Sequence, residues 1–255
     1  MPSRLSISNS DMNLITLQTV DSTNRYLKDL IRTESSLPNY LTIFTPRQTA
    51  GVGQYGAKWQ SVPYMNLTFS TLFIPHNLTV DKAFLLNMLV PIAVLKTLKT
   101  YQDSPDIHIK WPNDIIIANK KVGGILIENV LQGQLLVKSV IGIGINVNQG
   151  EFEGLPKASS LKILWGKELK VKQLLKAILL NLEKELSALT ATSFQAIYPI
   201  YRDFLYRVDK VSTFRLPNGT HFMGIIKGVN SCGELVVETE NNTEQFSLKE
   251  VELMY

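Results

Sequence analysis

The chain of 255 residues has a single cysteine, Cys232, and three histidines, His76, His108 and His221. One cysteine excludes an intrachain disulfide framework and suits a reducing compartment. The scattered histidines offer no plausible Ser–His or Cys–His dyad, so nucleophilic catalysis by a side chain is not indicated. The opening Met1-Pro-Ser-Arg-Leu-Ser6 lacks the apolar run of a signal peptide. No uninterrupted apolar segment looks long enough to span a bilayer. There is no low-complexity stretch, no evident internal repeat and no block of one charge: 26 Lys and Arg face 22 Asp and Glu, for a net charge of +4. A mildly basic, dispersed charge fits an anionic small ligand or an acidic partner without demanding nucleic acid. These absences describe a soluble protein, expected in the cytoplasm and off the membrane.

What is present is an ordinary globular composition, 45% hydrophobic and 19% charged, enough for one large domain with or without a small one. Asp21-Ser-Thr-Asn24 precedes Tyr26, Leu27, Leu30 and Ile31, capping residues ahead of apolar residues at helical spacing. Leu41–Phe44 and the alternating Asn66–Ile74 read as strands. Asp81–Tyr101 reads as a long helix with a kink expected at Pro91. Ile107–Trp111 and Val122–Glu128 read as short strands around a turn at Asn119-Lys120, and Leu135–Val147 as a further strand. Lys172–Leu189 carries Leu174, Leu175, Ile178, Leu179, Leu182 and Leu186 on one helical stripe. From Val211 onward, turn signals at Pro217-Asn-Gly219, Ser231-Cys-Gly233 and Asn241-Asn242 predict a small antiparallel barrel. The expected division is residues 1–207 and 208–255. Strands and helices that mix without strict alternation favour an α+β fold.

Gly51-x-Gly53-x-x-Gly56 resembles a phosphate loop on paper. A Rossmann loop follows its strand directly and opens a helix; here Pro46–Ala50 intervenes and Trp59-Gln-Ser-Val-Pro63 is a poor helix. A Walker loop needs Lys and Ser or Thr after its last glycine, and Gly56-Ala-Lys-Trp59 lacks that order. Taken alone, the string reads as a Gly-rich hairpin or surface loop. Two further constellations accompany it. In Lys110-Trp-Pro-Asn-Asp114, Pro112 stops a strand, which puts Asn113 and Asp114 on a turn at its end. Lys121-Val-Gly-Gly124 follows, with Gly123 and Gly124 permitting close backbone approach to a ligand. In Ile141-Gly-Ile-Gly-Ile-Asn-Val-Asn148, alternate glycines leave one strand face bare, as though a flat group packs there.

Asp21-Ser-Thr-Asn24, Gln48-Thr-Ala-Gly-x-Gly53, Lys110-Trp-Pro-Asn-Asp114, Lys121-x-x-Gly-Ile-Leu-Ile-Glu128 and Gly142-x-Gly-x-Asn-Val147 resemble, in that order, the motifs of biotin–protein ligases. The likeness runs from about Asn13 to Tyr255. It implies a mixed-sheet catalytic domain of the biotin/lipoate ligase type with a small C-terminal SH3-like β-barrel. The residues before Asp21 are too few for a helix-turn-helix, so specific DNA binding is not expected; a homodimer is left open. The implied chemistry activates biotin with ATP as biotinyl-5′-AMP and transfers it to a lysine of a biotin carboxyl carrier protein. Mg²⁺ would accompany ATP, without a dedicated metal cluster in the protein.

By the same resemblance, Lys121, Asp114 and Lys110 are the catalytic candidates. Lys121 would meet the activated carboxyl and phosphate, and Asp114 would accept a proton from, or orient, the incoming lysine. Biotin would be bordered by Ser22, Thr23, Asn24, Gln48, Gly51, Gly53, Gly123 and Gly124. ATP or the adenylate would meet Val52, Gln54, Trp59, Asn113, Lys121 and Asn146. Trp111 is assigned to packing. Val52 stands where the family usually carries a cation, and Tyr55 where an arginine is common, which implies a weaker hold on the adenylate. A lipoate or octanoate ligase shares the architecture, but its Arg-Arg-x-x-Gly-Gly-Gly and His-Asp segments are absent. A biotin-binding relic of a ligase is the non-catalytic alternative, and a small-metabolite kinase is the more distant one.

Overall fold

The computed structural model describes residues 13–103 and 106–255; the reading of Met1–Ser6 lies outside them. In chain order the elements are β1 (Leu14–Thr16), α1 (Thr23–Thr33), β2 (Thr42–Thr45), β3 (Gly51–Val52), β4 (Lys58–Trp59), β5 (Leu67–Phe73), β6 (Leu78–Thr79) and α2 (Phe84–Tyr101). There follow β7 (Ile107–Lys110), β8 (Asp114–Ile117), β9 (Lys120–Gln132), β10 (Leu135–Ile145), α3 (Leu161–Trp165), α4 (Val171–Ser187) and α5 (Phe194–Phe204). The chain closes with β11 (Val211–Arg215), β12 (His221–Val229), β13 (Leu235–Glu238), β14 (Thr243–Phe246) and β15 (Glu252–Met254).

Eight strands make one mixed sheet in the order β1-β2-β5-β10-β9-β8-β7, with β6 also on β10. Only β1 and β2 run parallel; the other pairs are antiparallel. Side chains alternate across a strand, so each central strand feeds two layers. Ile43, Leu72 and Val140 pack with Leu27 of α1 on one face. Phe44, Phe69, Phe73, Ile141 and Ile143 join the larger core with α2 and α4 on the other. This two-sided cover is why every residue of β5 is buried and why α+β describes the arrangement.

The segment Val80–Tyr101 is long and apolar enough to cross a bilayer by length and composition, contrary to the sequence reading, but 67% of that window is buried inside the fold. Its apolar residues serve the core, packed by α4 and α5. The helix starts at Phe84 after a 3₁₀ turn and continues through Pro91. Several further elements escaped the sequence, among them β6, α3, β1, β8 and α5. β1 is short, β8 offers only Asp114-Ile-Ile-Ile117, and α5 carries Pro199 in its interior, a residue that ordinarily argues against a helix. The turn before β9 falls on Ala118-Asn119, both at positive φ, as a two-residue type I′ hairpin requires.

Residues 211–254 form a five-stranded antiparallel sheet of the SH3-like kind, ordered β14-β13-β12-β11-β15, around stacked Phe214, Phe222 and Phe246. It is tied to the first sheet by the Trp111 indole, which donates to the Gly233 carbonyl at 2.9 Å, and by Tyr206 edge-on to Tyr255. Trp111 is therefore a packing residue, as its sequence suggested.

Candidate active site

One register line crosses the sheet. Thr68 of β5 pairs with Gly144 of β10, Gly144 with Gly124 of β9, Gly124 with Asp114 of β8, and Asp114 with Lys110 of β7. The neighbouring line holds Ser70, Gly142 and Leu126. Residues on one line share a face, so a floor of small and polar groups runs toward two charged ones. A cavity of about 540 Å³ lies over this floor. A larger groove, about 880 Å³, lies between the start of α2 and the second sheet but gathers none of the candidate residues.

The end wall of the cavity is the start of α1. Ser22 caps the helix, its side chain accepting from the Arg25 amide. Gln48 Oε1 accepts from the Thr23 amide at 2.9 Å and lies 3.3 Å from the Thr23 hydroxyl. Asn24 is buried and its amide is oriented from both ends. Nδ2 donates to Glu128 Oε2 at 2.8 Å, and Oδ1 lies within hydrogen-bond distance of Ser70 Oγ. Glu128 is in turn held by Lys28 at 2.7 Å. A side-chain carbonyl and two hydroxyls thus stand fixed beside the cavity before any ligand arrives.

At the other end, Lys121 Nζ lies 2.5 Å from Asp114 Oδ1. Lys121 reaches this face because β9 bulges. The register against β8 slips between Ile115 and Ile116, so Gly123 faces Ile115 but Lys121 faces Ile116. Val122 is fully buried in the core, while Lys121 and Gly124 both line the cavity. Strict alternation would have turned Lys121 away, and the extra residue re-aims it. Lys110 sits beside the pair. Burial lowers its pKa below the ordinary 10.5, a shift that Asp114 opposes and Lys121 reinforces. The Lys110 ammonium also lies 5.1 Å from the centre of the Tyr255 ring.

The roof is the β3–β4 hairpin, a two-stranded ribbon in which Gly51 pairs with Trp59 and Val52 with Lys58. The flat group expected on the glycine face of β10 is the protein's own Trp59. A Cβ built on Gly144 would meet its indole at 2.4 Å, and one on Gly142 would meet Asn24 Oδ1 at 2.1 Å. Gly142 and Gly144 are thus required by side chains packed onto the strand. The roof is also held by the second sheet, where Lys249 lies 3.9 Å from the centre of the Tyr55 ring.

Ser22, Thr23, Asn24, Gln48, Val52, Gly53, Gln54, Trp59, Lys110, Asn113, Asp114, Lys121 and Gly124 all line the cavity. Gly51, Gly123 and Asn146 do not. A Cβ on Gly51 would strike Gln48 Nε2 at 2.4 Å, and one on Gly123 would strike Ile145 at 2.6 Å, so both glycines serve packing behind the wall. Asn146 ties β9 to the start of α3: its amide donates to the Val122 carbonyl, and its Nδ2 to that of Ser159. Asn113 lines the cavity, but its Nδ2 donates to the Ile125 carbonyl at 2.8 Å, which locks the turn. Asp114 opens β8 instead of sitting on that turn. Thr68, Phe69, Leu126, Ile143 and Glu252 line the cavity unforeseen. Glu252 comes from the second sheet, and no spacing in the sequence connects it with the rest.

The match to the biotin/lipoate A/B protein ligase family covers residues 16–146, and the chain belongs to that family. It is 28% identical over 246 residues to the bifunctional ligase/repressor BirA of Bacillus spizizenii, covering 94% of this chain and 74% of that one. It is 25% identical over 213 residues to the biotin–[acetyl-CoA-carboxylase] ligase of Mycobacterium tuberculosis, covering 83% and 78%. The biotin protein ligase of Aquifex aeolicus, solved with biotin and ATP, superposes with a TM-score of 0.78 at 28% identity, covering 95% of this chain and 98% of that one.

Proposed function

We infer that the protein is an ATP-dependent biotin–protein ligase. It joins the biotin carboxylate to the α-phosphate of ATP, releasing pyrophosphate, and passes the biotinyl group from the resulting adenylate to a carrier-protein lysine, releasing AMP. The observation that carries the reading is one cavity that has a pre-oriented polar wall at one end and the Lys110–Asp114–Lys121 group at the other. Its length separates recognition of a ring from chemistry on a carboxyl.

The nucleophile in the first step is the substrate's own carboxylate, so catalysis is positioning and charge stabilisation. Polar groups fixed at Ser22, Thr23 and Asn24 line that end of the cavity, with Ser70 buried behind Thr23 and Asn24, and suit a ureido ring, which both donates and accepts. Lys121 and Lys110 supply positive charge where negative charge gathers on the phosphate and the mixed anhydride. Asp114 holds the Lys121 ammonium in place. In the second step the incoming amine attacks as a neutral base and must shed a proton; in this reading Asp114 accepts it, through the carboxylate it shares with Lys121.

The residues present do not build a magnesium site. Asp114 is committed to Lys121 and Glu252 to Arg215, and among the described residues no group of three or more His, Cys, Asp or Glu gathers. Mg²⁺ belongs in this reading only as an ion carried in on the triphosphate, where it retains water and phosphate ligands. The reading also includes a biotin carboxyl carrier domain as acceptor and no specific DNA contact.

Incubation with radiolabelled biotin, ATP and Mg²⁺ should yield biotinyl-AMP, and addition of a carrier domain should yield labelled carrier. ATP–pyrophosphate exchange that ignores biotin, or that responds to lipoate instead, would overturn the assignment.

A further inference from the structure

We propose that Lys58 is the phosphate-binding cation of the roof, serving from β4 the position that Val52 leaves uncharged on β3. The inference rests on reading the cavity as a site for ATP and biotinyl-AMP.

The charged side chains lining the cavity are Lys58, Lys110, Asp114, Lys121 and Glu252. Asp114 is paired with Lys121, and Glu252 is ion-paired with Arg215. Among the described residues, Lys58 and Lys110 are the lining cations left without an ion-pair partner. They approach from opposite sides: Lys110 rises from the sheet on β7, and Lys58 descends from the hairpin. Phosphates lying between floor and roof would meet one uncompensated charge from each.

The hairpin register says why Lys58 can replace a cation at position 52. Val52 and Lys58 are directly paired, and side chains so paired lie on one face with Cβ atoms roughly 5 Å apart. A lysine stem spans that gap and can lie along the valine, with its ammonium in the polar space beyond. Val52 is 40% exposed, an apolar surface suited to covering by such a stem. The hairpin is not adrift, because the next residue, Trp59, is seated on Gly144; Lys58 therefore has a defined height above the floor. The rival cations are otherwise placed: Arg47 does not line the cavity, and Lys249 sits on the Tyr55 ring.

Titration calorimetry with biotin and, separately, with ATP and Mg²⁺ tests this on wild type, Lys58→Gln, Lys58→Arg and the Val52→Arg/Lys58→Gln double variant. Lys58→Gln should leave biotin affinity within about twofold and weaken ATP about tenfold or more, as expected for loss of one charge-assisted hydrogen bond. Lys58→Arg should bind ATP like wild type, and Val52→Arg should restore most of what Lys58→Gln loses. ATP binding unchanged in Lys58→Gln, or biotin and ATP lost in equal measure, or no rescue from position 52, each overturns the assignment. A wild-type protein that binds neither ligand would instead defeat the reading of the cavity.

Discussion

Gly144→Ala should lift the roof from the floor. A Cβ at this position meets Trp59 Cε2 at 2.4 Å, Cζ2 at 2.6 Å and Nε1 at 2.8 Å. The strand cannot retreat, since it is hydrogen-bonded on one side to β5 and on the other to β9. The indole must therefore rise by about 1 Å to reach ordinary contact, and as a rigid plate it loses contact across its whole face. If half of the roughly 200 Å² that a tryptophan buries is lost, at about 25 cal/mol per Å² the cost is about 2.5 kcal/mol. Part is returned, because Trp59 Nε1 is buried without a hydrogen-bond partner and gains water on release. A net of about 1.5–2 kcal/mol shifts the closed-to-open ratio roughly ten- to thirtyfold. Apart from the exposed Lys249–Tyr55 contact, little else resists, since β3 and β4 pair over two residues each. Hydrogen exchange across residues 51–59 should accelerate by that factor in Gly144→Ala. Gly150→Ala, whose Cβ meets nothing within 4 Å, should leave it unchanged. In a Trp59→Ala background the effect of Gly144→Ala should vanish. Exchange in Gly144→Ala equal to wild type would refute the claim that the indole holds the roof.

Lys121→Ala should slow biotin-dependent ATP–pyrophosphate exchange about a hundredfold, near 3 kcal/mol, while changing biotin affinity little; calorimetry beside the exchange assay checks both halves. Glu128→Ala should weaken biotin binding about tenfold by leaving the buried Asn24 amide without its acceptor. Lys28→Ala, which removes only a half-exposed ion pair, should cost well under 1 kcal/mol; equal effects in the two titrations would contradict the orienting role of Glu128. Because burial lowers the Lys110 pKa, its cation is lost as pH rises before 10.5 is reached. The alkaline limb of adenylation should therefore fall below the free-lysine range and move upward in Lys110→Arg. The stability sign is opposite: between the lowered value and 10.5 the unfolded chain binds more protons at this residue, so its contribution to stability rises with pH, which chemical denaturation across that window would detect.

The sequence by itself determined the parts. Capping residues before an apolar period placed α1, alternation placed β5, and the leucine stripe placed α4, because each signal is written in residues a few positions apart. The ordered motifs named the family and most of the cavity-lining residues for the same reason. What lies between the parts was decided in three dimensions. Lys110, Asp114, Gly124, Gly144 and Thr68 form one line across five strands only through pairings made by segments far apart in the chain, and a slip of one residue would turn each to the other face. The bulge at Val122 carries Lys121 to the cavity side, although local alternation points it away. The same packing put Gly51, Gly123 and Asn146 behind the wall. It seated Trp59 in the space that the glycines of β10 keep clear, and it brought Glu252 from the second sheet to the cavity. A glycine in a strand announces that something approaches closely, but only the tertiary structure decides whether that is a ligand or the protein's own side chain.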